Sequence, residues 1–202
     1  NEKLTPAKAG WAVVKDDVRN NCRRWIFRSD RMQTTDPFGQ LTVRAHMHPG
    51  YQSPNHIGPS GPADTDLTVL SIKTLDDKPL AMLANYAMHY YGSPLISGDV
   101  CGRFGLKVAE LIGISDQQPG FVGILSQGTS GDSMWMDYSQ PARPNDFDAY
   151  VLGLAEGAVR AYQSIQHRPD ITLAMAETTL PLNRRTPDAA RLKWAHDLVA
   201  QV

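Results

Sequence analysis

Two apolar runs, each closing on residues that can do chemistry, constrain this chain more than any other feature. Ala81-Met82-Leu83-Ala84-Asn85-Tyr86-Ala87-Met88-His89 reads as a strand that ends on a histidine. Phe121 to Leu125 reads as a second strand, followed by the loop Gly128-Thr129-Ser130-Gly131-Asp132-Ser133. Strands of one sheet can bring both ends to the same rim. An imidazole and a carboxylate beside a glycine-rich turn can then bind a metal or move protons. The pair points to a hydrolase site, and to an incomplete one.

The elements around these runs set the fold class. Ala9 to Lys15 reads as a short strand, and residues 16 to 40 as charged and irregular, with a turn at Asp36-Pro37-Phe38-Gly39. Leu41 to His48 alternates, with His46 and His48 on one face. Pro49 to Pro62, rich in proline and glycine, reads as an exposed loop. Leu67 to Lys73 and Leu80 to His89 form a hairpin about Asp76-Asp77. Ser97 or Asp99 opens a helix reaching about Leu111, with Phe104, Val108 and Leu111 inward and Gly113 as its stop. The uninterrupted apolarity of Phe121 to Leu125 predicts a strand buried on both faces. Asn145 or Asp146 opens a helix that turns Tyr150, Leu154, Ala158, Val159 and Tyr162 inward. Ile171 to Leu182 reads as a further strand. A last helix follows Thr186-Pro187-Asp188, with Thr186 as its cap and Leu192, Ala195, Leu198 and Val199 on one stripe. The strand–helix alternation predicts an α/β fold, a layered mixed sheet flanked by helices.

At 202 residues the chain fits one domain, residues 1–202, and its 42% hydrophobic content is ordinary for a globular core. The helical pattern running up to Val202 reads as part of a longer catalytic domain. A net charge of −1 leaves no basic stripe, which argues against nucleic acid as a partner. The cationic cluster from Arg19 to Arg31 alternates with Asp16, Asp17 and Asp30 and reads as a solvated surface loop. No apolar run reaches the ~18 residues of a membrane helix. Cys22 and Cys101 are too few for a disulfide framework and fit no zinc spacing, and Cys101 reads as a buried free thiol.

Each candidate residue has a bland reading beside its chemical one. His89 is a ligand or catalytic group, or a hydrogen-bonded structural histidine. Loop residues Ser130 and Gly131 can point backbone N–H groups outward as an oxyanion cradle, with Asp132 orienting a histidine, ligating a metal or acting as a base. Alternatively the loop is a tight turn whose carboxylate caps an N–H. The loop lacks the Gly-x-Ser-x-Gly arrangement of a nucleophile elbow. His46 and His48, about 7 Å apart on a strand face, could chelate zinc, but zinc needs three or four ligands. His56, His167 and His196 read as surface residues. Trp135, between Met134 and Met136, lines an acyl pocket or packs in the core.

Taken together, these segments resemble the N-terminal catalytic domain of the neutral/alkaline, non-lysosomal ceramidase family. The resemblance lies in Asn85-Tyr86-Ala87-Met88-His89, then Ser97-Gly98-Asp99 with the helix from Gly102, then Phe121 to Leu125 with Gly131-Asp132. It implies a zinc-dependent amidohydrolase acting on the N-acyl bonds of sphingolipids or other lipid amides, secreted or facing the outside of the cell. By position it makes His89 a zinc ligand; beside it, Asp132 and Gly131 are the expected catalytic residues, and Asn85, Ser130 and Trp135 the expected substrate-binding ones. Two departures stand out. The family's Gly-Asp-Val-Ser-Pro segment reads Gly131-Asp132-Ser133-Met134-Trp135 here, which displaces the serine by one residue. The family's upstream His-x-His lies before the region matched by Asn1, and its glutamate and tyrosine ligands lie beyond that matched by Val202. His46-Met47-His48 falls at the wrong place in the order. A zinc ion here therefore takes its other ligands from outside the chain. Two alternatives stand beside this expectation: a non-catalytic relative or binding module with a degenerate site, and a metal-independent serine esterase using Ser130 or Ser133.

Overall fold

In the computed structural model, which describes residues 4–92, 94–114, 120–184 and 186–201, the chain divides into two units. They comprise Asn1–Met32 with Arg44–Ile171, and Gln33–Val43 with Thr172–Val202. Asn1 and Val202, where the sequence suggests a longer domain, lie outside the described residues.

The first unit is built on a four-stranded mixed sheet, ordered β1 (Ala7–Lys15), β6 (Asp66–Thr74), β7 (Pro79–Tyr86), β8 (Val122–Gln127). Strands β1, β6 and β7 are antiparallel, and the expected hairpin joins β6 to β7 with Asp77 in the left-handed region at φ 69°. β8 runs parallel to β7, so a crossover is required, and helix α1 (Asp99–Leu111) supplies it. Helix α2 (Phe147–Ser164) follows, capped by Asp146, whose carboxylate accepts the Ala149 N–H at 2.9 Å. Both helices share one face of the sheet. Phe104 and Val108 of α1 and Leu154 and Ala158 of α2 close over Leu67, Val69, Met82, Ala84 and Tyr86, and all of these are fully buried. Each large apolar side chain so buried stabilises by about 1.5–3 kcal/mol.

Two glycines let these layers approach. A Cβ on Gly105 of α1 would lie 2.6 Å from the Gly123 carbonyl oxygen of β8. Gly153 of α2 makes room for the Arg19 guanidinium, which pairs with the buried Asp16 at 2.8 Å. Part of the presumed surface loop is therefore interior.

Several sequence expectations need correcting. β8 is not buried on both faces: Val122 and Ile124 are exposed, in register with Leu83, Leu70 and Trp11 on an open side of the sheet. β7 ends at Tyr86, three residues before His89. Residues 16–40 contain β2 (Asn21–Cys22) and β3 (Arg24–Phe27). Leu41 to His48 is not one strand. Only β4 (Ala45–Met47) pairs, on one side of β3, and His48 turns away at φ 57°. The presumed loop Pro49 to Pro62 contains β5 (His56–Pro59), which flanks β3 on the other side. β9 (Ser133–Met134) pairs with β2.

In the second unit, helix α3 (Ala189–Val199) is capped by Asp188, which accepts the Arg191 N–H at 2.8 Å; Thr186 is not the cap. Asp36 gathers the Phe38 and Gln40 N–H groups, and Phe38 meets Trp194 edge-on at 5.7 Å. Ile171 to Leu182 is not a strand. Leu173 and Met175 are 90% and 88% exposed and gain nothing from burial.

Candidate functional site

Because β7 and β8 are parallel, their carboxyl ends emerge on one edge, where ligands of α/β sheets collect. The chain after each strand is stitched to the other. Gly128 N–H donates to the Tyr86 carbonyl at 2.9 Å, Gln127 Nε2 to the Met88 carbonyl at 2.8 Å, and Ser133 Oγ to the Ala87 carbonyl at 3.1 Å. A Cβ on Gly128 would stand 3.1 Å from Ala87 Cα, so glycine suits the close approach. The stitching carries His89 to the Ser130–Asp132 turn.

There His89 is clamped on both nitrogens. Arg23 Nη1 lies 3.1 Å from Nε2, and the Ser130 carbonyl lies 3.2 Å from Nδ1. A guanidinium only donates, so Nε2 is the acceptor and Nδ1 carries the proton. Arg23 Nη2 also donates to the Gly131 carbonyl at 2.8 Å, and its backbone N–H to the Asp132 carbonyl at 2.8 Å. Its Nε is buried with no hydrogen-bond partner among the described residues, an unmet charged donor at the centre of the cluster.

His48 and Tyr138 form the outer wall, with His48 Nδ1 bonded to the Tyr138 hydroxyl. Burial lowers the His48 pKa from its ordinary value, and the charges of Arg23, His89 and His46 lower it further. Burial likewise raises the Tyr138 pKa. His46 goes elsewhere: it stacks on Phe27 and His56, at centroid distances of 5.5 and 5.7 Å. The left-handed turn at His48 is what separates the two side chains.

The remaining sequence candidates are placed as follows. Asp132 is exposed at the rim. The Ser130 and Gly131 carbonyl oxygens accept from His89 and Arg23. Asn85 points to the open side of the sheet and donates to Ser126 Oγ at 2.7 Å, away from His89. Trp135 is half-buried against Tyr91, at 5.1 Å between centroids, and packs on the core. Ser130 Oγ accepts from Gln127, while the buried Ser133 Oγ donates to the Ala87 and Ser130 carbonyls. Neither hydroxyl bonds to a histidine among the described residues, so the serine-esterase alternative has no nucleophile–base pair here.

Arg23 is the member of this cluster that local sequence pattern does not reveal. Its one local signal is its place before the apolar run Trp25-Ile26-Phe27, which is unusual for a solvated loop. Among the described residues no group of three His, Cys, Asp or Glu side chains could hold a metal ion. His89 has the donor chemistry of a ligand, with one ring N–H fixed by a carbonyl, while its other nitrogen accepts from Arg23.

No family model matches the chain, and no curated protein matches it. Among solved structures, neutral ceramidase from Pseudomonas aeruginosa is similar at 15% identity and a TM-score of 0.47, over 80% of this chain and 23% of that one. A ceramidase complexed with C2 is similar at 15% identity and a TM-score of 0.48, over 80% of this chain and 22% of that one. The chain thus spans less than a quarter of the length of either structure. At this level of similarity no residue's role transfers from them.

Proposed function

We propose that this chain carries part of the site of a ceramidase-like, zinc-dependent hydrolase of N-acyl (amide) bonds, with a lipid amide as substrate. The observation that carries the reading is the clamped His89, with Nδ1–H held by the Ser130 carbonyl and the Nε2 lone pair turned to the cluster. His89 is one zinc ligand, and the others come from outside the described residues. The ion, when bound, supplies a water whose pKa is lowered towards about 7.

The chain's own side chains define the rest. Arg23 offers charged N–H groups to the substrate carbonyl oxygen as negative charge develops on it. The Ser130 carbonyl fixes the imidazole, and the Gly131 carbonyl holds the guanidinium beside it. Asp132, exposed at the rim, is positioned for proton transfer to the leaving amine or for orienting it. Asn85, braced against Ser126, sets where the loop after β8 begins, and Trp135 supports the loop from the core side.

A second reading, the degenerate relative or binding module, is favoured by one contact. Arg23 engages the lone pair that zinc needs, so the two cations compete for Nε2. Zinc content per chain, measured by elemental mass spectrometry on the full-length protein and on His89→Ala, separates the two. About one zinc that is lost on substitution supports the hydrolase. No zinc in either protein supports the binding module.

A further inference from the structure

Beside the clamped histidine lies a small cavity of about 130 Å³ between the ends of β7 and β8 and the start of α1. Its walls include Met88, Tyr91, Val100, Cys101, Leu125 and Gln127, with Tyr90, Gly98 and Asp99 completing them. Four of these, Met88, Tyr91, Val100 and Leu125, are buried core residues, so the floor is apolar and fixed. On one side Tyr90 donates to Asp99 at 2.9 Å, closing the wall with a hydrogen bond. The cavity adjoins the candidate site through two of its walls. Met88 precedes His89 in the chain, and Gln127 donates both to the Met88 carbonyl and to Ser130 Oγ, whose own carbonyl holds the imidazole.

We infer that this cavity is the acyl subsite, and that it selects amides of short acyl chains, from acetyl to about pentanoyl, over long-chain lipid amides. The inference rests on the amidohydrolase reading and narrows its substrate class. The walls set the polarity: the buried apolar side chains take a hydrocarbon tail, while Gln127 gives a polar side toward His89, where the carbonyl must sit, and Tyr90, Asp99 and Cys101 add polar groups elsewhere on the lining. The volume sets the length. An apolar cavity of about 150 Å³ accommodates a benzene-sized group, so 130 Å³ holds roughly five or six heavy atoms. Drug-sized ligands need roughly 300 Å³ or more. A long chain would have to leave the cavity and lie on the surface, gaining nothing from the added methylenes. The Phe104, Val108 and Gly105 contacts of α1 with the sheet keep the cavity from widening, since its α1 wall can retreat only by unpacking the core.

Cys101 gives a direct readout. It is exposed, not buried as expected from the sequence, and it lines the cavity, whereas Cys22 is buried and serves as the internal reference. The experiment is alkylation of the full-length protein by N-ethylmaleimide, followed by intact mass. It is run with N-butanoyl ethanolamine or N-dodecanoyl ethanolamine below its micelle concentration. A ligand in the cavity shields the thiol in proportion to occupancy, so about tenfold slowing is expected at ten times Kd of the butanoyl amide. Little slowing is expected with the dodecanoyl amide at the same concentration. Equal protection by both, or by neither, overturns the inference. Hydrolysis of the same two amides is measured in parallel. Protection by the short amide without hydrolysis of either would leave the subsite standing and remove the hydrolase reading. Hydrolysis that favours the dodecanoyl amide would do the reverse.

Discussion

Substituting Gly105 by alanine tests how the site edge is held, because the effect runs against the intrinsic preference of a helix. In an unobstructed helix interior Gly→Ala stabilises by about 1 kcal/mol. At Gly105 the new Cβ would lie 2.6 Å from the Gly123 carbonyl oxygen and 3.3 Å from the carbonyl carbon. Both are backbone atoms, so no rotamer relieves the contact. Helix α1 must lift from β8, loosening Phe104 and Val108 on either side. Overpacking of this kind costs about 1–3 kcal/mol, and a backbone clash belongs at the upper end. After the propensity gain a net loss of about 2 kcal/mol remains. Gly102, in the same helix, has nothing within 4 Å of a built Cβ and provides the control. Urea unfolding followed by circular dichroism, with an m-value of about 2 kcal/mol per molar, should lower the midpoint by ~1 M for Gly105→Ala. The same experiment should raise the midpoint by ~0.5 M for Gly102→Ala. Equal stabilisation by both substitutions would refute the close helix–strand contact and, with it, the rigid wall of the cavity.

Three further outcomes are expected. Ser133→Ala removes the buried hydroxyl that donates to the Ala87 and Ser130 carbonyls, and should cost about 1–3 kcal/mol by the same urea assay while broadening the His89 ring signals in NMR. His48, His56 and His167 all have pKa values lowered from 6.5, chiefly by burial. The folded state thus binds fewer protons than the unfolded one, and the stabilisation is fully present above 6.5 and lost as pH falls through the lowered values. Thermal melts should therefore show Tm falling below pH 6.5, less steeply in His48→Gln; a flat profile would contradict this. Arg23→Met frees His89 Nε2 from a charged hydrogen bond of about 1.5–3 kcal/mol, so zinc should bind roughly 10- to 100-fold tighter by titration calorimetry.

What the sequence shows of this molecule follows the range of the interactions involved. The β6–β7 hairpin, the two amphipathic helices and the strand before the Gly-Thr-Ser-Gly-Asp loop are encoded in local periodicity and turn chemistry, and these were legible. So was the meeting of His89 with that loop, which follows once the two strands share an edge. Arg23 was not, because its partners His89 and Gly131 stand 66 and 108 positions away, and locally it looks like one more charge in an arginine-rich stretch. The His46–His48 pair misled for the opposite reason: the alternation was real, but a left-handed residue ends the strand between them. Strand pairing was also beyond local reading. Residues 56–59 pair despite a glycine and a proline, whereas Ile171 to Leu182 has a strand's pattern and forms no strand.

The most direct test is amine release from an N-acyl ethanolamine by the full-length protein with zinc added, compared with His89→Ala at matched folding. Catalysis centred on the clamped histidine predicts steady amine release by the parent protein and its loss in His89→Ala. Equal rates in both proteins, or none in the parent with zinc bound, would contradict it.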